Sequence, residues 1–296
     1  MYDWIGNMVS EEARLQSWAR WSRRLPRRWL EKLIRSAAWL LVCIWGRGIR
    51  RAVLNNMSEL LPDRTDRERR RYARQYFQHA GMTLYEILID AERLTEGEGR
   101  RFELHGERHL EEALRLGRGA IVYAPHMGNF FYAYWLLSRK YPCITVGTAS
   151  DPALAPLYRR FEAMGCQGLD YDRTPPLKLY RALSRHVQAG GVVFLLGDFY
   201  RPTFPHVPFF GRLSRLPQGA AALALDGNVP IVPMYACRLG EFRHQIRFEP
   251  GIVNWGSGKD ARRQASVELS GRLEQMIRER PDQWFYWFNA HERWEL

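Results

Sequence analysis

One histidine poses the chemical question. Residues 119–131 read GAIVYAPHMGNFF, an apolar run over 120–124 closed by Pro125, which cannot continue a strand ladder. His126 follows, then Gly128-Asn129 break the backbone before an apolar helical pattern over 130–137. Strand, sharp turn and helix in that order lift His126 out at the carboxyl end of a parallel strand, where open α/β sheets build their sites. The same geometry aims the N–H groups around Gly128 and Asn129 at that spot. An imidazole so placed can take a proton, and the N–H groups can hold a developing negative charge. The other reading of an isolated histidine is a solvated turn residue. His79, His105, His109, His186, His206 and His244 show no metal-ligand spacing, so no metal site is expected. No G-x-S-x-G motif is present, and Cys43, Cys143, Cys166 and Cys237 lie far apart outside any comparable turn. That excludes a disulfide framework and suits a reducing compartment.

The elements that must position this turn alternate. A strand over 102–104, a helix over 107–116, the strand and helix around His126, a strand over 144–146, helices over 153–164 and 177–188 and a strand over 192–196 succeed one another. Strands over 231–235 and 242–248 and a helix over 261–280 close the chain. The pattern predicts an α/β fold with a mostly parallel central sheet flanked by helices. Upstream, a helix over 66–90 opens with Thr65 and Glu68 spaced as a capping box. A break over 94–99 marks the entry to the core. The expected organisation is an N-terminal amphipathic, membrane-associating helical region over 1–92 and an α/β domain over 93–296.

Charge is concentrated at the start. The 296 residues carry a net +12, and residues 1–80 hold 17 Arg+Lys against 8 Asp+Glu. That balance suits nucleic acid, anionic lipid or an acidic protein, but no nucleic-acid motif accompanies it. Tryptophans gather beside these arginines, among them Trp4, Trp18, Trp21, Trp39 and Trp45, as at a membrane interface. The uncharged stretch 36–46 is 11 residues long, against the roughly 20 that a spanning helix needs. It should lie in an anionic membrane surface rather than cross it, with Trp39 and Trp45 at headgroup level and Arg35 and Arg47 among the arginines gripping phosphates. An ordinary core helix with snorkelling arginines is the alternative.

Taken in order, the motifs resemble those of the lipid A biosynthesis (late, secondary) acyltransferases, within the lysophospholipid acyltransferase superfamily. The resemblance runs from about residue 20 to 294. It rests on Arg50-Arg51-Ala-Val-Leu-Asn55-Asn56 with Leu61-Pro62, on residues 119–129, and on Leu195-Leu-Gly197-Asp198. It continues through Val207-Pro208-Phe209-Phe210-Gly211, Pro217-Gln-Gly219-Ala220, Val229-Pro230-Ile-Val-Pro233, Arg280-Pro281-Asp-Gln-Trp284 and His291-Glu-Arg293-Trp294.

The resemblance implies a glycerolipid acyltransferase-like fold, peripheral or monotopic on the cytoplasmic face of a bacterial inner membrane. It implies transfer of a fatty acyl group from an acyl-carrier protein or acyl-CoA thioester to a hydroxyl or amine of a lipid or glycolipid acceptor. His126 would be the general base, Gly128 and Asn129 the oxyanion donors, and attack would be direct, with the thioester as co-substrate and no other cofactor. Arg201, Arg212 and Arg215 around Phe210 and Gly211 would grip a phosphate or a carrier-protein surface, the alternative being an ordinary solvated face. The aromatic run 284–288 would line an acyl groove or simply fill the core; His291 and Trp294 read as structural.

The chain departs from the family at one telling position. The family motif is His, four residues, then Asp or Glu; here the fifth position is Phe131. Residues 147–152 also lack an arginine before Asp151-Pro152, and Asp198 is followed by Phe199-Tyr200 rather than a polar pair. Three readings follow. Asp198, at the end of the strand over 192–196, could approach His126 in the missing acid's place, or else pair with Arg201. His126 could work unassisted. Or the protein could be a non-catalytic lipid-binding scaffold.

Overall fold

The computed structural model describes residues 17–18, 20–22, 24–94, 98–148, 155–255 and 260–294. Trp4, the break at 95–97 and Asp151-Pro152 lie outside the described residues. Helices α1 (Arg27–Trp45), α2 (Arg47–Leu60) and α3 (Asp66–Tyr85) come first. The capping box forms as expected: Thr65 Oγ1 accepts the Glu68 N–H at 3.3 Å and the Glu68 carboxylate accepts the Thr65 N–H at 2.8 Å. The expected helix to residue 90 is interrupted, because α3 widens after Tyr85 into a π-turn, Glu86–Asp90. Such turns re-aim side chains, and here Glu86 is buried completely.

After α4 (Glu98–Arg101), strands and helices alternate through β1 (Phe102–His105), α5 (Arg108–Leu114), β2 (Ala120–Ala124), α6 (Phe130–Lys140), β3 (Cys143–Gly147), α7 (Ala155–Ala163), β4 (Gln167–Asp170), α8 (Pro176–Gln188) and β5 (Val192–Leu196). A hairpin of β6 (His206–Phe209) and β7 (Arg212–Arg215) follows, then α9 (Gly219–Gly227), β8 (Ile231–Gly240), β9 (Arg243–Phe248) and α10 (Ala261–Glu279). Short 3₁₀ turns over Pro281–Gln283, Phe285–Phe288 and Ala290–Arg293 complete the described chain.

Seven strands form one sheet in the order β1-β9-β8-β2-β5-β3-β4, parallel throughout except between β8 and β9. β2 is buried along its whole length, which explains its unbroken apolar sequence: both faces are covered. Ile121 and Tyr123 join a core with residues of α2, α8, α9 and α10, while Ala120, Val122 and Ala124 join a second core with residues of α5, α6 and α7.

Two features were not legible. β4 is polar (Gln167-Gly-Leu-Asp170) because it is an edge strand with little to bury. The stretch 201–215, expected as a basic loop, contains the β6–β7 hairpin. Phe210 and Gly211 both take positive φ, 52° and 72°, as a two-residue turn between twisted strands requires.

Candidate active site

β2 and β5 are neighbours in register, with Ala124 opposite Leu196. Two residues beyond that pair each strand presents one side chain, His126 and Asp198. Their separation is short: His126 Nδ1 lies 2.7 Å from Asp198 Oδ1. The same carboxylate accepts the His126 backbone N–H at 3.0 and 2.9 Å on its two oxygens and the Trp284 indole N–H at 2.7 Å. Asp198 is fully buried. Burial alone would push its carboxyl up, but attraction to His126, the hydrogen bonds from His126 and Trp284 and the Arg293 charge outweigh it and hold the group below the usual carboxylate range. An ionised carboxylate can only accept, so it keeps the imidazole proton on Nδ1 and leaves Nε2 its lone pair. Nε2 faces the Tyr286 hydroxyl at 3.3 Å.

Of the two pairings open to Asp198, the fold forms the one with His126. Arg201 turns to Asp172 instead, at 3.1 and 3.2 Å. Phe131 belongs to an aromatic wall, its ring 4.6 Å from that of Phe130 and 5.1 Å from that of Phe161. The carboxylate absent at position 131 in sequence is thus matched in space from a neighbouring strand.

The turn itself is tightly tied. Gly128 has φ 60°, and a Cβ there would meet the Ala236 carbonyl oxygen at 2.4 Å, so no side chain fits. Its N–H donates to the Gln283 carbonyl at 3.0 Å. Asn129 caps α6, its Oδ1 accepting the Tyr132 N–H at 3.1 Å, while its Nδ2 donates to Glu86 at 2.8 Å. Of the two N–H groups expected to serve an oxyanion, the one at Gly128 is engaged with Gln283, and the Asn129 side chain is engaged in building the turn. Beneath them Glu86 pairs with buried Arg238 and lies 3.1 Å from His244. Burial would raise the Glu86 carboxyl, but the charges of Arg238 and His244 and their hydrogen bonds hold it far below the usual range.

Sequence reasoning missed how completely the C-terminal aromatic run builds this site. Trp284 bridges to Met127, and the Phe285 N–H donates to the His126 carbonyl at 2.8 Å. Tyr76 donates its O–H to the Phe285 carbonyl at 2.9 Å, and Asn56 donates to the Trp287 carbonyl at 2.8 Å. Arg293, buried, donates to the Asp198 carbonyl at 3.0 Å, and its guanidinium lies over the rings of Tyr286 (4.4 Å) and Trp284 (5.4 Å). The available signal was the density of aromatic and polar residues after α10, which composition alone cannot separate from core.

A cavity of about 1550 Å³ opens at His126. Its lining is largely apolar and includes Ile34, Ala38, Leu41, Leu88 and Phe161. Polar Asp170, Asp172, Arg201 and Gln218 line it as well. Arg201 is therefore at the cavity, but the rest of its expected group is not among the lining residues. Arg212 pairs with Glu59 at 3.0 Å and lies over Trp294, Arg215 donates to the Phe204 carbonyl at 3.1 Å, and Gly211 serves the hairpin turn. Phe210 packs 5.9 Å from the Trp284 ring, behind the indole that donates to Asp198.

The expected membrane residues also divide. Trp45 is 77% exposed and Arg47 is exposed, but Trp39 packs against the core with Arg74 over its ring, and Arg35 turns to Glu31 and Gln78. The outward stripe of α1 is instead Trp29, Leu33, Leu40, Leu41, Ile44 and Trp45. Among the described residues no helix is long and apolar enough to cross a membrane, and no group of three or more His, Cys, Asp or Glu is placed to hold a metal ion.

Comparison with known proteins places this geometry. A sequence model described as bacterial lipid A biosynthesis acyltransferase matches residues 15–295. The chain is also similar to a phosphatidylinositol mannoside acyltransferase of Mycobacterium tuberculosis (strain ATCC 25618 / H37Rv), 34% identical over 139 residues that cover 44% of this chain and 42% of that protein. A protein of the same name from Mycolicibacterium smegmatis (strain ATCC 700084 / mc(2)155) is 32% identical over 136 residues, covering 43% of each. The matched stretch thus spans less than half the length of these relatives.

Proposed function

The chain belongs to the bacterial lipid A biosynthesis acyltransferase family, and from that premise we propose that it transfers a fatty acyl group from an acyl thioester to a hydroxyl or amine of a lipid or glycolipid acceptor. His126 is the general base and Asp198 its orienting partner. The observation that carries this reading is the 2.7 Å contact between His126 Nδ1 and Asp198, with Nε2 facing the hydroxyl of Tyr286, which like His126 lines the cavity.

In this reading the acceptor O–H or N–H sits at Nε2, and its oxygen or nitrogen attacks the thioester carbonyl as the proton passes to the imidazole. Asp198 stabilises the imidazolium so formed. Collapse of the tetrahedral adduct expels the thiolate, which recovers the proton from Nε2, giving an ester or amide and a free thiol. The apolar lining suits the fatty chain, and Asp170, Asp172 and Arg201 suit a polar headgroup. Acyl-carrier protein and acyl-CoA are both compatible donors. The exposed stripe of α1 shares Leu41 with the cavity lining, which supports seating on a membrane surface, and the family supports placing it at the cytoplasmic face of the inner membrane.

The test is thiol release and acyl transfer by the purified full chain, with palmitoyl-CoA and palmitoyl-carrier protein as donors and a panel of lysophospholipids and glycolipids as acceptors. Activity that is lost in His126→Ala is expected. Equal inertness of wild type and variant toward every donor and acceptor would leave a lipid-binding scaffold instead.

A further inference from the structure

The transfer step needs a donor for the oxyanion, and one of those the turn after β2 suggests, the Gly128 N–H, is engaged elsewhere. The Gly128 N–H is bound to Gln283, the Asn129 side chain to Glu86 and Tyr132, and the Phe285 N–H to the His126 carbonyl. What faces the reacting nitrogen is a phenol. We propose that the Tyr286 hydroxyl is an oxyanion donor of the acyl transfer, an assignment that rests on the function proposed above.

Three observations carry it. The first is direction. Because Asp198 holds the imidazole proton on Nδ1, Nε2 can only accept, so the Tyr286 O–H is the donor in the 3.3 Å contact. In the resting site it therefore points its hydrogen at the place where the acceptor hydroxyl must come. The second is position. A hydroxyl accepted by Nε2 sits about 2.6–3.2 Å from it, so the carbonyl it attacks comes beside a phenol oxygen that is itself within reach of the same nitrogen. Tyr286 also lines the cavity.

The third is rigidity and charge. Tyr286 is 5% exposed, its ring lies 4.7 Å from the imidazole, and Arg293 covers its face at 4.4 Å. The peptide on either side is fixed through Tyr76 to the Phe285 carbonyl and Asn56 to the Trp287 carbonyl. A donor held before reaction needs no reorganisation as charge develops. The buried guanidinium beside the ring favours negative charge building up next to it.

The acceptor oxygen forms a bond to the thioester carbon while its proton goes to Nε2. The carbonyl π pair moves onto oxygen, and the Tyr286 O–H, released from Nε2 by the arriving acceptor, donates to that oxyanion. Reformation of the carbonyl breaks the C–S bond, and the thiolate leaves with the Nε2 proton. Tyr286 keeps its own proton throughout.

The experiment compares wild type, Tyr286→Phe and His126→Ala as full chains, using thiol release from palmitoyl-CoA and palmitoyl-carrier protein, thermal melting and the imidazole ¹⁵N spectrum. Tyr286→Phe keeps the ring and its packing, so melting unchanged within a degree or two is expected. The expected kinetic result is kcat lower by about 10²–10³-fold with KM within about threefold, the size of loss when one oxyanion donor is removed. The His126 Nε2 resonance should also move at a pH where the ring is neutral, because its hydrogen-bond donor is gone. Retention of kcat, or a loss expressed only as a higher KM, would overturn the assignment. An Nε2 signal that does not move would overturn it too. If wild type and His126→Ala are equally inert, the transfer reading itself falls and this assignment with it. A gap between those two with none between wild type and Tyr286→Phe rejects Tyr286 alone.

Discussion

Asp198 Oδ1 lies 2.7 Å from Nδ1 of His126 although the two residues stand 72 apart in the chain. They meet because β2 and β5 are adjacent and parallel, and each residue follows the last paired position of its strand by two. Asp198→Asn preserves shape but offers a neutral amide, which cannot stabilise the imidazolium and can impose the wrong tautomer. In serine proteases the equivalent change costs about 10⁴-fold in kcat. A loss of 10³–10⁴-fold in transfer rate, with KM little changed, is expected for Asp198→Asn. A loss under tenfold would remove Asp198 from the catalytic pair.

Restoring the family acid should not help. Phe131→Glu would place a carboxylate among Phe130, Phe161 and Tyr158, on a wall of the cavity, while the Nδ1 edge of His126 is already engaged. Activity equal to or below wild type is expected, with melting lowered because a charge in apolar surroundings is disfavoured. A gain in kcat would show that His126 lacks an effective partner.

The strand ends, the histidine turn and the α/β class could be read from the sequence because each depends on local pattern: an apolar run, a proline, a Gly-Asn break. The pairing of His126 with Asp198 could not be settled, because strand order is a tertiary property and the sequence allowed Arg201 as the partner equally well. The VPFFG motif looked like a binding loop for a similar reason. Its positive-φ turn and its packing on Trp284 belong to a hairpin that packs against α10 and the C-terminal aromatics. Trp39 and Arg35 show the remaining limit: composition marked α1 as interfacial, but which of its faces looks outward was decided by α3 packing beneath it.

Trp284 links the aromatic segment to the acid through its indole N–H, 2.7 Å from Asp198 Oδ2. Trp284→Phe removes that hydrogen bond and leaves the aromatic packing largely in place. Hydrogen bonds to charged groups contribute about 1.5–3 kcal/mol, so denaturant unfolding should show a loss of that order. The transfer rate should fall about tenfold as the carboxylate loses one of its fixed directions. An unchanged denaturation midpoint would mean that solvent replaces the indole, against the complete burial of both groups.

Acid should act on the same carboxylate. The Asp198 carboxyl is held below its ordinary value of 3.8 in the folded protein. A group depressed on folding adds stability that is present above the unfolded value and is lost as pH falls through the folded one. Asp282, also depressed against burial by its contact with His79, has the same sign. Stability should therefore drop below about pH 4, and Asp198→Asn should show a shallower drop there while being less stable at neutral pH. Parallel acid limbs for wild type and variant would show that Asp198 is not depressed.

The outward stripe of α1 gives a prediction that is independent of the chemistry. Leu40, Leu41, Ile44 and Trp45 are 51–77% exposed, on a helix with basic residues on both flanks. Burying such side chains at a lipid interface contributes about 25 cal/mol per Å² of apolar surface, and the flanking charges add attraction to anionic headgroups. Ile44→Glu with Trp45→Glu reverses both effects at the exposed end of α1 without touching His126 or the described lining of the cavity. Binding to phosphatidylglycerol-containing vesicles in a flotation assay should fall at least tenfold, and raised salt should weaken the wild type in the same direction. Thiol release from soluble palmitoyl-CoA should stay within about twofold of wild type, since nothing near Nε2 has changed. Undiminished vesicle binding by the double variant would place the membrane contact elsewhere on the chain.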